Sequence, residues 1–167
     1  MAVVGVLAAV ALPSLLEHLA RRAVEGVALQ LVSDLQYARS ESAQRNESVA
    51  VTTSSLCHVI HNASASASCT HEGAGVSPAS ALLKSVVQDS RPAVDVQPQG
   101  GLTRLVFEPV GTTASFAGTA PGSATASWHV GSSSGTLLVR VQVNAAGRAS
   151  ACVSSGEPLP GIAVCPP

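Results

Sequence analysis

The first 16 residues, MAVVGVLAAVALPSLL, carry no charge, and Glu17 opens a different pattern. From there apolar residues recur at intervals of three and four: Leu16, Leu19, Ala23, Val27, Leu31, Leu35 and Ala38. That spacing marks one face of an α-helix. Glu17, Arg21, Arg22, Glu25, Asp34, Arg39, Glu41 and Arg45 fall largely on the other faces. One helix is therefore expected from the start of the chain to about Arg45, kinked at Pro13, which removes a backbone hydrogen bond. The uncharged run would span roughly 24 Å as helix, short of a hydrocarbon core of about 30 Å. A signal peptide has an apolar region of similar length. Here no basic residue precedes the run, and an amphipathic helix follows it in place of a cleavage site.

After Asn46 the period shortens to that of strands. Ser48–Thr53 and Leu56–Ile60 read as two β-rich runs, and Asn62–Ser68 (NASASAS) as a small-residue loop. Further strands are expected at Leu82–Val87, Ala93–Gln97, Thr103–Phe107, Ala124–Val130 and Thr136–Val143. The last alternates most clearly, with Leu137, Val139, Val141 and Val143 on one side and Leu138, Arg140 and Gln142 on the other. Asn144–Gly147 supplies a turn that would send Arg148–Val153 back antiparallel. Gly, Pro and Ser clusters at 73–80, 98–101, 118–123 and 131–135 separate the runs. One long helix followed by seven or more short strands is an α+β layout. It predicts a small antiparallel β-sandwich or sheet packed on the C-terminal half of the helix.

Composition narrows the functional classes. The 167 residues are 46% hydrophobic with a mean hydropathy of +0.35, which excludes a charge-rich disordered chain. Nine basic against ten acidic residues excludes a nucleic-acid binder that works through bulk charge. One Trp, one Tyr and two Phe are too few for a base-stacking platform.

Four cysteines, Cys57, Cys69, Cys152 and Cys165, allow three disulfide connectivities. The short-range choice, Cys57–Cys69 with Cys152–Cys165, closes two small loops, each worth on the order of 3 kcal/mol by chain entropy. The second would tie down a tail containing Pro158, Pro160, Pro166 and Pro167. The competing reading is a zinc site drawn from Cys57, His58, His61, Cys69 and His71, although no CxxC or HxxxH spacing supports it. His18 and His129 read as ordinary surface or interface residues.

Catalytic chemistry is hardly represented. Gly131–Gly135 matches the GxSxG nucleophile spacing, but a strand-like run follows it where a helix is required. Asp34, Asp89 and Asp95 form no carboxylate pair, and no glycine-rich phosphate loop opens a helix. The chain reads as a non-enzyme, with no catalytic residue, metal, cofactor or small-molecule substrate.

The stretch VVGVLAAVALPSLLEHLARRAVEGVALQLVSDLQYARSESAQRNESV resembles the N-terminal helix of type IV pilins and type II secretion pseudopilins. Within them it is most similar to the FimT/GspH minor pilin group, in which LxSDLQYARSEAxxRN recurs. LVFEPVGT at 105–112 and VQVNAAGRASAC at 141–152 resemble strand motifs of the same group. The resemblance implies residues 1–16 as the transmembrane and assembly half of the helix, 17–46 as its amphipathic half, and 47–167 as a periplasmic β-rich domain. It implies a single-pass inner-membrane subunit that joins a pilus or pseudopilus through Gly5, Pro13, Leu16, Leu19, Ala23, Val27, Leu31 and Leu35, with other pilin subunits as partners. Gly5, Ala8, Ala9 and Ala11 would let helices approach closely. The family's basic leader, processing site and following glutamate are not in this sequence; aligned on Gly5 and Pro13, they would precede Met1. Restoring them would bring the apolar run to spanning length.

Some FimT-like proteins bind DNA through arginines in a GRxR-type motif near the C-terminus. Here Gly147-Arg148-Ala149-Ser150 keeps the first arginine and has serine for the second. Arg148 and Arg140 are the candidate contacts, with Arg104, Arg91 and Lys84 nearby and Asp89, Asp95 and Glu108 interspersed. Three functions are thus expected to compete: a minor pilin or pseudopilin, a DNA receptor subunit for uptake, and a secreted disulfide-stapled β domain.

Overall fold

The computed structural model describes residues 2–55, 57–70, 73–87, 94–109, 114–117, 125–132, 135 and 137–166, with backbone alone for 2–14 and for Ala74. A single helix, α1, runs from Ala2 to Arg45 over 44 residues, continuous through Pro13. It stops where Asn46 adopts a left-handed conformation (φ 53°) and the Glu47 amide donates back to the Ser42 carbonyl. This is a common helix C-terminal signal, and Asn is among the few non-glycine residues suited to it. Among the described residues no helix is long and apolar enough to cross a membrane.

Twelve strands follow among the described residues. They are β1 (Val49–Ser54), β2 (Cys57–Asn62), β3 (Ser66–Thr70), β4 (Gly73–Ser77), β5 (Leu82–Val87), β6 (Val94–Pro98), β7 (Arg104–Phe107), β8 (Ala114–Ala117), β9 (Thr125–Ser132), β10 (Leu138–Asn144), β11 (Ala149–Ser155) and β12 (Ala163–Val164). The first sheet has the order β5-β2-β1-β7-β8 and the second β12-β11-β10-β9-β6. All pairings are antiparallel except β11 with β12. The expected β10–β11 hairpin is present, with Val143 opposite Ala149.

Two expectations change. Asn62–Ser68 is only partly a loop, because Ser66–Thr70 pairs with Gly73–Ser77 as a separate hairpin. Its alternating Ala and Ser carry no β-branched signal, so strand propensity alone does not reveal it. The hairpin packs on β1 and β2, where Ala50, Val59 and His61 are buried. The short strands β8 and β12 also went unmarked in the sequence.

Alternation along the strands sends Val49, Val51, Ile60, Leu105 and Phe107 of the first sheet inward. They meet Val96, Trp128, Val130, Val139, Val141 and Val143 of the second in one cluster. From the helix come Val24, Ala28, Leu31, Leu35 and Ala38, at steps of four and three. Two fully buried leucines contribute roughly 2 kcal/mol each. The expected stripe is thus turned by one residue at its N-terminal end: Val24 and Ala28 are buried, while Ala23 and Val27 pack only at the edge.

Candidate functional site

The helix carries two distinct faces. Between Val24 and Ser42 its apolar side is covered by the chain's own sheets, with Leu31 and Leu35 each 1% exposed. Little more than one turn before Val24 the cover ends: Leu16 is 64% and Leu19 54% exposed, and Leu15 lies open beside them. Of the proposed assembly residues, then, Leu31 and Leu35 are committed to the intramolecular core, whereas Leu16 and Leu19 are free. The side chains of Gly5 and Pro13 lie outside the described residues.

The covered half is pinned at polar points as well. Asp34, expected on a polar face, is 2% exposed and sits in the buried stripe between Leu31 and Ala38. His58 Nε2 on β2 donates to Asp34 Oδ2 at 2.8 Å, and Lys84 Nζ on β5 donates to Oδ1 at 2.5 Å. Burial by itself would push the Asp34 carboxyl up; the hydrogen bonds and charges of His58 and Lys84 outweigh it and hold the carboxyl below its ordinary value. At the helix end, buried Ser42 Oγ donates to the Phe107 carbonyl at 3.0 Å. The wheel position of Asp34, three after Leu31 and four before Ala38, was the available sign that it turns inward.

The other end of the molecule closes on the same helix. Leu159 and Ile162 are buried in the shared core, and Glu157 pairs with Arg21, which also contacts Glu17. Cys152 and Cys165 are joined by a disulfide with a Cα separation of 4.9 Å, which holds the tail beside β11. Cys57 and Cys69 form the second, at 5.7 Å, and fasten β3 to β2.

These bonds displace the zinc alternative. Both cysteines of that set are joined to each other in a disulfide, His58 is committed to Asp34, and His61 Nε2 lies 2.9 Å from Thr52 Oγ1. Burial lowers the pKa of His61, with the Arg104 charge acting in the same direction. The neutral ring donates from Nδ1 to the Asn62 carbonyl at 2.8 Å and accepts from Thr52. No group of ligands suited to a metal occurs among the described residues, and His71 lies outside them. At the GxSxG match, Gly131 and Ser132 end β9 and the next element is strand β10; Ser133 and Ser134 lie outside the described residues.

The candidate arginines are not brought together. Arg140 is half-buried on β10, beside Ser154 and opposite His129, whose pKa is lowered by burial and then by the Arg140 charge. Arg148 is exposed at the β10–β11 turn, which Gly147 makes possible with φ 69° and which the Asn144 side chain closes onto the Arg148 amide at 3.0 Å. Its neighbour across an open groove of about 480 Å³ is Arg39 of the helix, with Gln36, Ser40 and Ala43 completing the helical wall. Arg104 donates to the Ala63 carbonyl and Lys84 to Asp34. Arg91 and Asp89 lie outside the described residues.

A long N-terminal helix, half laid into an antiparallel domain and half projecting with uncovered leucines, is the pilin class of architecture. Within it, the chain belongs to the GspH family: the profile described as type II transport protein GspH matches residues 27–147. Crystal structures of the type IV minor pilin FimU from Pseudomonas aeruginosa PAO1 share the fold. In one crystal form FimU is 18% identical, with a TM-score of 0.54 over 80% of this chain and 92% of FimU. In a second form the values are 17% and 0.56, over 83% and 90%. No curated protein sequence matches the chain.

Proposed function

We propose that this protein is a non-catalytic minor pilin, anchored in the inner membrane of a bacterium with its β domain in the periplasm. It assembles through its N-terminal helix into a type IV pilus or the complex that initiates its tip. The carrying observation is the open leucine face at Leu15, Leu16 and Leu19, adjacent to a helical half that the domain already occupies. Exposed apolar residues contiguous on one helix mark an interaction surface. Family membership supports the same reading, and a pseudopilin of the GspH kind in type II secretion is the form in which it would otherwise act. The chain is expected with other pilin-class subunits in the sheared surface-fibre fraction of its native host. Abundant protein in cells that never enters a fibre or a pseudopilus would count against the proposal.

A second reading, a DNA-contacting subunit for uptake, is favoured by one feature: Arg39 and Arg148 share a groove that, among the described residues, no carboxylate lines. Two phosphate contacts would give weak binding that salt removes readily. A gel-shift titration at about 50 mM salt tests it, since each contact adds to the salt slope. Loss of the shift in Arg39→Ala/Arg148→Ala sustains the reading, and no shift in the unaltered protein ends it.

A further inference from the structure

We propose that one water molecule is a structural component of the core, bound between Trp128 and Thr53 where the helix and the two sheets meet. Trp128 is the chain's single tryptophan and is 0% exposed. Its indole Nε1 is buried without a hydrogen-bond partner among the described residues, and so is the Thr53 hydroxyl oxygen. Native interiors rarely leave such groups unmet, and an indole N–H can only donate. Both residues line the same small, partly enclosed cavity, together with Leu31 of α1, Ser54 of β1, Cys57 and His58 of β2 and Val96 of β6. The cavity offers a water-sized sphere about 10 Å³, close to the room that one water needs and too little for a larger ligand.

The chemistry of the walls selects water over an ion. His58 is engaged with Asp34 through Nε2, and the remaining liners besides the two orphaned groups bring no charge. A neutral molecule that accepts from the indole and exchanges a hydrogen bond with the hydroxyl meets both demands. Apolar cavities of this size stay dry, but polar ones with two or more partners are hydrated. Thr53 belongs to β1 of the first sheet and Trp128 to β9 of the second. The water therefore makes a polar link between sheets whose shared cluster is apolar.

A crystal structure of the full chain at about 1.5 Å tests this directly. The expected result is one ordered solvent peak within hydrogen-bonding reach of both Trp128 Nε1 and Thr53 Oγ1. An empty site, or an indole N–H bonded to a protein oxygen, overturns it. In solution the single indole proton gives one resonance. The proposal expects it to show NOE and ROE transfer of opposite sign at the water frequency, reduced at least twofold in Thr53→Val. Absence of transfer in the unaltered protein, or transfer of full strength in the variant, contradicts the two-partner site.

Discussion

Asp34 is the residue on which the attachment of the helix turns. A buried carboxylate survives only with partners, and removing one member of such a group typically costs about 3 kcal/mol or more. Asp34→Ala is accordingly expected to lower stability in urea by about 3 kcal/mol, because His58 loses its acceptor in the core. Lys84→Ala should cost no more than about 1 kcal/mol, since its side chain is 41% exposed and solvent screens the pair. Asp34 and the buried His61 both contribute to the pH dependence of stability. His61 titrates below its ordinary 6.5 in the folded state, so the unfolded chain takes up the proton first. Stability is then complete above about pH 6.5 and declines as pH falls below it. Asp34, also lowered, holds its contribution above its ordinary 3.8 and loses it as pH falls through the folded value. Urea midpoints measured from pH 8 to pH 3 should show both declines; a stability that rises on acidification would refute the assignment.

At the scale of elements, the hairpin β3–β4 depends on a crosslink more than on its own side chains. Its Ala, Ser and Gly residues bury little, and Cys57–Cys69 closes a separation of 12 residues. Cys57→Ser/Cys69→Ser is expected to cost about 3 kcal/mol by loop entropy. Hydrogen exchange should quicken in β3–β4 while β9 and β10 stay protected; uniform protection would show that the hairpin holds itself. The same composition explains what the sequence disclosed. The 3.6-residue period made the helix visible to within a residue of Arg45, and Val139, Val141 and Val143 made β10 plain. The β3–β4 hairpin has no such pattern, and the two-residue β12 is too short to carry one. Asp34 was misread because a charged residue was assigned to the polar side, although its spacing from Leu31 and Ala38 placed it inside. Arg39 escaped notice as a companion to Arg148 because only folding brings helix and turn together.

At the scale of the whole molecule, one helix has a stretch seated on the β domain and a preceding stretch with uncovered leucines. Between Val24 and Ser42 one stripe of the helix, Val24, Ala28, Leu31, Leu35 and Ala38, is taken up by the β domain, whose two sheets and crosslinked tail close on the same core, while Leu29 on the outer side stays exposed. The preceding segment, with Leu15, Leu16 and Leu19 within four residues of one another, is where the open leucines cluster. Mutations in the two halves should therefore separate. Leu31→Ala or Leu35→Ala is expected to destabilise the fold by about 2–5 kcal/mol, as cavity-forming core changes do. Leu16→Asp/Leu19→Asp should change the unfolding free energy of the β domain by no more than about 0.5 kcal/mol, since neither residue is covered. The decisive measurement is the amount of that double variant in the sheared fibre fraction of the native host, relative to its level in whole cells. The account predicts normal cellular abundance with at least a tenfold loss from the fibre. Incorporation equal to that of the unaltered protein would contradict it.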